Sequence, residues 1–332
     1  MKRAIFALAL LLASCANKSA NPKVRIAMLG TGLQAIHLPI ALAETLGYFQ
    51  AEGLDVTLDN FSSNLKTVQA VIGGSVDVAG IHHMQTFQMA AEGQILRSFF
   101  LLSHRSSAIL VVSPAAEQKI RRLEDLKGAI IGVPSPGAAN HMIMNYFLQS
   151  HGVPTAELTT VAIGVAASAL AAVESGRVDA AVLANGDHFR LLERHPNLRI
   201  LMDSSTLEGM RAVYGSDTLP IGALAAKPAW LAQNPDSARR LTRALARANQ
   251  WIATHSAEEI REKLPPGWRS PDPAADLTIL RWSIPTFTPD GGMPPRALNA
   301  QKRMLDATAD NIRNAKIDPN STWTSDFLPN SK

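Results

Sequence analysis

Three landmarks recur in the same order along this chain, each copy about 100 residues after the first. The first is an apolar run that ends in a glycine-rich corner, the second is a helix end marked by glycine, and the third is a short apolar strand. The matched pairs are 24–32 with 129–137, 48–56 with 147–155, and 73–80 with 174–185. Each half therefore predicts a βαβαβ unit with a mainly parallel sheet and right-handed crossovers.

One continuous doubly wound sheet is the alternative interpretation of this repeat. The pattern changes after Asn185, however, and residues 212–224 read as a loop followed by a short apolar crossing. A protein of two α/β lobes whose chain crosses twice between them explains the change. The predicted limits are 23–111 with 223–332 for the first lobe and 112–222 for the second.

The N-terminus has the layout of a secretory signal. Lys2 and Arg3 precede an apolar run over 4–13, which is too short to span a bilayer. The string that ends at Cys15 also resembles the lipobox of bacterial lipoproteins, although an ordinary signal peptide with a chance cysteine remains open. The resemblance implies cleavage before Cys15 and acylation of that residue, and two or more acyl chains suffice for stable anchoring. The predicted segments are a signal peptide over 1–14 and a tether over 15–22.

Composition narrows the function classes. Cys15 is the only cysteine, so the chain cannot form an internal disulfide and has no other thiol for metal or redox chemistry. The net charge is +4 over 332 residues, and loss of Lys2 and Arg3 lowers it to about +2, with no basic block that would favour nucleic acid. We expect no cofactor, and contact with the membrane only through the lipid anchor, in the periplasm or cell envelope.

Polar residues follow the predicted strands at their carboxyl ends, where open α/β sheets bind ligands. Hydroxyls, amides and imidazoles outnumber fixed charges there, which suits a polar or singly charged organic ligand. The candidates in the first half are Thr31, Gly32, Gln34, His37, Ser62, Asn64, His82 and His83. The candidates in the second half are Ser135, Gly137, Ala138, Ala139, His141, Asn185 and Asp187.

The corner at 135–139 is the most specific of these predictions. Ser135 is a good N-cap and Pro136 fits the first helical position, so the sequence predicts a helix that starts there. The N–H groups of Gly137, Ala138 and Ala139 would then lack intrahelical partners and could face a ligand. A capped helix whose small residues only allow close packing is the alternative.

Five of the nine histidines lie at these strand ends. Imidazole is a common metal ligand, but the spacing of these residues fits no compact chelate motif. Hydrogen bonding to a ligand and ordinary structural roles both remain open. The five are His37, His82, His83, His141 and His188.

Two further patterns have competing interpretations. Residues 30–35 read G-x-G-x-x-A after a strand, which is typical of a dinucleotide fold, but Pro39 would break the required helix and Asp59 comes late. Three arginines spaced by four residues on one helix face are either a solvated face or a docking surface. They are Arg239, Arg243 and Arg247.

Four stretches stand in this order in the sequence: LGYFQAEGLDVTL, GGSVDVAG, LEDLKGAIIGVPSPGAANH and ESGRVDAAVL. Together they resemble the substrate-binding proteins of ABC importers that serve nitrate, sulfonates, taurine and thiamine-pyrimidine precursors. The resemblance implies a periplasmic-binding-protein type II fold, in which two lobes on a hinge close over a solute in the cleft. It also implies a non-catalytic, monomeric receptor whose partners are a permease and its ATPase subunit.

An enzyme on the same fold is the second hypothesis, similar to the pyrimidine synthases of thiamine biosynthesis. That family's enzyme uses a cysteine-rich motif with iron, which a chain whose single cysteine is Cys15 does not supply. A dinucleotide-binding oxidoreductase is the third hypothesis. The identity of the solute stays open.

Overall fold

The computed structural model describes residues 21–30, 32–106, 108–183 and 187–329. The predicted signal peptide, Cys15, Thr31 and Asn185 lie outside these residues. Within them the chain forms two separate sheets of five strands, not one continuous sheet. No helix in the described ranges is long and apolar enough to cross a membrane.

Strands and helices alternate through both halves. The strands are β1 Lys23–Leu29, β2 Asp55–Phe61, β3 Val78–His82, β4 Arg97–Leu101, β5 Ile109–Val112, β6 Ile130–Val133, β7 Thr159–Ala162, β8 Ala180–Leu183, β9 Ile200–Asp203 and β10 Gly222–Ala226. The helices are α1 Leu38–Thr45, α2 Tyr48–Ala51, α3 Asn64–Gly73, α4 Met84–Ala91, α5 Ala139–Ser150, α6 Ala167–Glu174, α7 Asp187–Arg194, α8 Leu207–Tyr214, α9 Pro228–Gln233, α10 Pro235–Thr254, α11 Ala257–Lys263, α12 Pro273–Ser283, α13 Pro295–Thr308 and α14 Asp310–Ala315.

The two sheets have equivalent strand orders. The first is β2-β1-β3-β10-β4 and the second is β7-β6-β8-β5-β9. In each sheet the three strands of the βαβαβ unit are parallel, as predicted, and the fourth strand runs antiparallel to both of its neighbours. That fourth strand, β10 or β5, directly follows a crossing between the sheets, so the repeat and the crossings together produce the mixed topology.

Matching aspartates make the same contact in the two halves. The Asp77 carboxylate accepts a hydrogen bond from the backbone N–H of Arg25 at 2.8 Å. The Asp179 carboxylate accepts one from the N–H of Ile130, also at 2.8 Å. Each aspartate precedes the third strand of its unit and fixes the start of the central strand. The Val-Asp pair that recurs in the sequence therefore has a physical role in both sheets.

The packing of the C-terminal segment differs from the predicted division of the chain. Helix α10 packs into the core of the first sheet through Leu241 and Leu245. Helices α13 and α14 instead contribute Met304, Leu305 and Ile312 to the core of the second sheet. The apolar faces of these helices match the second core, whereas the prediction assigned all of 223–332 to the first lobe. The residue limits of the lobes otherwise stay a proposal.

The chain crosses between the sheets in two segments that are hydrogen bonded to each other. The outgoing segment follows β4 and the returning segment precedes β10. Leu219 N–H donates to the carbonyl of His104 at 2.9 Å, and Ile221 N–H donates to that of Ser103 at 3.0 Å. The two crossings therefore lie side by side as one double connection between the lobes.

The arginines of α10 hold the helix against its neighbours. Arg243 Nε lies 2.7 Å from Glu52, and the Arg247 guanidinium lies 4.4 Å from the centre of the Tyr48 ring. Arg239 lies over the Phe327 ring. Their contacts are therefore with α2 and the C-terminal segment, and Arg239 and Arg247 remain exposed to solvent, as expected of a solvated face.

Candidate functional site

A large cavity lies where the carboxyl ends of the two sheets face each other. Its volume is about 480 Å³, within the range of pockets that hold small organic molecules. Asn64 and His82 line it from the first sheet. Gly137, Ala138 and Ala139 line it from the second. Five of the predicted site residues thus lie in one cleft between the lobes.

The corner before α5 is built differently from its prediction. The predicted helix start at Ser135 is wrong, because Gly137 has φ +77° and α5 begins at Ala139. Ser135 instead starts a turn, and its carbonyl accepts from the Ala138 N–H at 3.1 Å. Gly137 N–H donates to Nδ1 of His141 at 3.0 Å.

That geometry moves the free N–H donors two residues along the chain, from 137–139 to 139–141. The N–H groups of Gly137 and Ala138 are occupied within the corner. The first N–H groups of α5, at Ala139, Asn140 and His141, have no acceptor within the helix. Ala139 and Asn140 line the cleft, so residues with free backbone donors form part of its wall.

One face of α4 forms the opposite wall, and sequence reasoning missed it. Met84, Gln85, Gln88 and Met89 all line the cleft, as does Asn311 of α14. Their spacing along α4 of one, four and five residues places them on the same side of a helix. The signal was present, since an amide- and methionine-bearing face directly follows the strand end at His82. The contribution of Asn311 depends on tertiary packing and has no local signal.

A narrower cavity of about 50 Å³ extends the cleft towards the crossing segments. His82, Ala139 and Asn140 line both spaces, so they form the junction between them. Arg105 and Trp282 line the narrow part. A third space of about 350 Å³ continues past Arg105 and Trp282 along α7.

His82 is the predicted histidine that faces the main cavity. Burial lowers its pKa to about 4, so the ring is neutral near pH 7. A neutral imidazole offers one donor and one acceptor. The Gln85 side chain accepts a hydrogen bond from the backbone N–H of His82 at 3.1 Å, which fixes the strand end to α4.

Three other predicted histidines make contacts within the protein. Nε2 of His37 lies 3.0 Å from the carbonyl of Gly80, and burial lowers the pKa of His37 to about 4. His83 is fully buried and bonds through Nδ1 to Gln301. Nδ1 of His141 accepts the hydrogen bond from the Gly137 N–H, and burial lowers the pKa of His141. These positions fit structural roles. Within the described ranges, no three His, Cys, Asp or Glu side chains cluster as metal ligands.

Asp187 stabilises the turn that carries Val165, a residue of the cleft wall. Its buried carboxylate accepts from the backbone N–H of Ala166 at 2.8 Å, and burial raises the pKa of Asp187. Ala166 has φ +54°, a left-handed conformation that costs energy in a residue with a Cβ. The bond holds this strained turn, which places the exposed side chain of Val165 at the lip of the cleft.

The remaining predicted residues do not line these cavities. Gln34 precedes the short turn that leads into α1, and Ser62 and Ser135 are exposed. The glycine corner at Gly30 and Gly32 is followed by α1 only from Leu38 onward, with Pro39 in its first turn. A dinucleotide fold requires a helix that starts directly after the glycines, so this corner does not have that geometry.

Comparison with known proteins gives a consistent family and fold. The model of the family described as NMT1/THI5 like matches residues 34–259. YtlA of Bacillus subtilis strain 168, which is named as a binding protein, is 24% identical over 286 residues, covering 84% of this chain and 81% of YtlA. A solved structure from Bordetella bronchiseptica RB50 is 33% identical with a TM-score of 0.77, covering 92% of this chain and 95% of that one.

A second solved structure is the alkanesulfonate-binding protein SsuA from Xanthomonas axonopodis pv. citri bound to MOPS. It is 16% identical with a TM-score of 0.63, and the match covers 90% of this chain and 96% of that one. At this identity the likeness concerns the fold alone. The predicted fold of two α/β lobes, the periplasmic-binding-protein type, is confirmed.

Proposed function

This chain belongs to the NMT1/THI5-like family, and from that premise we propose that it is the solute-binding receptor of an ABC importer. The observation that carries the proposal is the cleft, whose walls come from both sheets. His82 and Asn64 lie on one side, and Ala139 lies on the other. A solute held by both walls stabilises the closed arrangement of the lobes, because it contacts both only when they approach.

The proposed partners follow from that motion. A closed, solute-loaded receptor presents a different surface from an open one, and a permease with its ATPase subunit can distinguish the two. We propose that the receptor acts as a monomer and without catalysis, since the described lining of the main cavity offers mainly neutral donors and acceptors, with Glu92 as its one carboxylate.

The proposed solute is a small polar or anionic organic molecule. The cavity volume of about 480 Å³ suits an organic body. The solved relative SsuA binds an alkanesulfonate, and MOPS is therefore a reasonable first solute to test. Pyrimidine-like solutes remain alternatives within the same proposal.

A thermal-shift screen tests the receptor function. A solute at a hundred times its Kd raises the free energy of unfolding by about 2.7 kcal/mol, which gives a readable rise in Tm. Each solute that raises Tm is then incubated with the protein and recovered for NMR. Recovery of the solute unchanged supports a receptor, whereas conversion into a product without partner proteins contradicts it and favours an enzyme.

We also propose that the mature protein is a lipoprotein of the cell envelope, anchored through Cys15. The support is the string Leu12-Ala13-Ser14-Cys15 after an apolar run. Intact mass spectrometry of the membrane-bound protein is expected to show an acylated N-terminal Cys15. Cys15→Ser is expected to leave the precursor unprocessed by the lipoprotein peptidase. A mature N-terminus at another residue contradicts the anchor without affecting the receptor proposal.

A further inference from the structure

Arg105 is a cation without a counter-charge in the described part of the structure. It lies in the crossing segment between β4 and β5, two residues after Ser103. Its Nε is buried and has no hydrogen-bond partner. The side chain as a whole is partly exposed, so the donor that lacks an acceptor is Nε and not the entire guanidinium. A buried N–H donor without an acceptor is costly, and such donors in proteins are normally satisfied. The unfilled bonding capacity of Arg105 therefore indicates a missing acceptor.

Three carboxylates that share a cavity lining with Arg105 have other partners. Asp290 accepts a hydrogen bond from the backbone N–H of Gly292 at 2.9 Å. Asp203 accepts hydrogen bonds from the N–H and the hydroxyl of Ser205 at 2.8 and 2.6 Å. Asp217 lies 3.1 Å from Arg296 and 3.6 Å from Arg211. None of the three forms an ion pair with Arg105 among the described residues.

Arg105 lies where the parts of the cleft meet. On one side it lines the narrow cavity with Ser103, Ser106 and Asn140. On the other side it lines the space along α7 with His188. These groups are hydroxyls, an amide and an imidazole, which can donate hydrogen bonds without adding charge. Asp203 and Arg281 line the same space along α7, and Arg281 pairs with Glu258.

His188 adds a second group without a partner at the same place. It is 1% exposed, and neither of its ring nitrogens has a hydrogen-bond partner within the described structure. Burial lowers the pKa of His188 to about 4. The ring is therefore neutral near pH 7, and it contributes a donor and an acceptor instead of a second positive charge.

The main cavity, at the other end of the cleft from Arg105, differs from the Arg105 end in its charge. The wall of the main cavity contains no lysine or arginine among the described residues, and it includes Glu92. Leu65, Val68 and Met84 provide apolar surface there. A solute that fits both ends has one anionic group at the Arg105 end and a neutral or positively charged organic body at the other.

We propose that Arg105 recognises the anionic head of the solute and thereby sets the specificity of the cleft for organic monoanions, such as sulfonates or carboxylates. The guanidinium matches an oxyanion with two parallel hydrogen bonds, and Ser106 and Asn140 complete the shell. This inference rests on the proposed receptor function. It goes further in naming the residue and the charge that select the solute.

The experiment compares solutes that differ only in the anionic head. The probes are MOPS with 4-propylmorpholine, and a series of short alkanesulfonates and carboxylates with their neutral alcohols and amides. Affinity is measured by calorimetry and by thermal shift for the whole chain without its signal peptide. We expect at least one anion to bind the wild type, and its neutral counterpart to bind on the order of 10- to 100-fold more weakly, the scale of a lost charge-assisted hydrogen bond.

The variants assign this preference to one residue. Arg105→Gln is expected to weaken anion binding by the same order and to remove most of the discrimination, while Arg105→Lys keeps the charge and part of the affinity. Arg194→Gln is the matched control, since Arg194 is exposed on α7 and pairs with Glu174 at 3.3 Å. The control is expected to bind as the wild type does.

Two results overturn the inference. One is unchanged anion affinity in an Arg105→Gln variant whose thermal unfolding shows that it is folded. The other is the absence of any anion preference in the wild type, whether or not neutral solutes bind. If neutral solutes bind and close the lobes, the receptor function stands while the role of Arg105 fails. If no solute of either kind binds, both fail.

Discussion

The corner before α5 combines small side chains with backbone donors, and its chemistry rests on individual residues. Gly137 adopts a positive φ and satisfies His141, while Ala139 is the first residue of the helix and lines the cleft. A side chain at position 139 therefore enters the space that a solute would occupy. The helix dipole at this end favours negative charge.

Ala139→Asp tests whether the solute uses this corner. A carboxylate in the first helical turn is expected to leave the free energy of unfolding unchanged or raise it by about 0.3–1 kcal/mol. The same carboxylate repels an anionic head and occupies its donors, so solute affinity is expected to fall by about 2–3 kcal/mol. Calorimetry and urea unfolding measure the two effects separately.

The neutral variant Ala139→Asn is the control for size. It is expected to lose less affinity than Ala139→Asp, because it adds a similar volume without the charge. Equal affinity of wild type and a folded Ala139→Asp variant would show that the corner has only a structural role.

His37 gives a pH dependence whose sign can be worked out. Its pKa is lowered to about 4 in the folded protein, against about 6.5 in an unfolded chain. The unfolded state therefore binds more protons between these values, so the stability that the neutral ring contributes is complete above pH 6.5 and is lost as the pH falls towards 4. The slope for one such group is at most about 1.4 kcal/mol per pH unit.

His37→Gln removes this contribution. Urea unfolding at several pH values between 7.5 and 4.5 is expected to give a flatter curve for the variant than for the wild type, with the difference growing below pH 6.5. Other acid-sensitive groups affect both proteins equally. Parallel curves would mean that His37 does not stay neutral in the folded state.

At the scale of elements, the repeat is built on equivalent contacts. Asp77 and Asp179 each accept a hydrogen bond from the N–H at the start of the neighbouring strand. Asp77 also accepts from the indole N–H of Trp230 at 3.1 Å, whereas Asp179 lies 3.4 Å from the exposed Lys119. The Asp77 carboxylate therefore has Trp230 as a second, part-buried hydrogen-bond partner.

The two aspartates are expected to differ in their contribution to stability. Asp77→Ala and Asp179→Ala each leave a strand N–H without its acceptor, which costs on the order of 1–3 kcal/mol. Asp77→Ala is expected to cost more, because Trp230 loses its acceptor too. Urea unfolding of both variants, with the exposed Glu193→Ala as control, measures the difference. A cost no larger than that of the control would contradict the structural role of the aspartates.

The repeat made the sheets predictable, because strand-helix order and glycine stops are local signals. The start of α5 could not be predicted in the same way, since Ser135 and Pro136 suit a helix N-terminus as well as the turn that they form. The residues of α4 that line the cleft have a helical spacing, and this spacing could have predicted that they share one face. Arg105 could not be singled out from the sequence, because no local pattern marks it. The feature that draws attention to it is a buried Nε without a hydrogen-bond partner, which is visible only in the folded structure.

At the scale of the molecule, the C-terminal segment connects both cores. Helix α13 packs into the second core through Met304, whereas Thr324 N–H donates to the carbonyl of Ser98 in the first sheet at 2.9 Å. Arg190 of α7 also lies 3.6 Å from Asp272 at the start of α12, across the lobes. Any closing motion therefore involves the double crossing, this segment and the ion pair together.

Small-angle X-ray scattering with and without a bound solute tests the central claim most directly. The chain without residues 1–14 is measured with a solute that raises Tm in the screen, and Ala139→Asp serves as a variant of reduced affinity. We predict that the solute decreases the radius of gyration of the wild type in proportion to occupancy, and that the variant shows the decrease only at higher solute concentration. A radius of gyration that stays the same at full occupancy would contradict a receptor that closes over its solute.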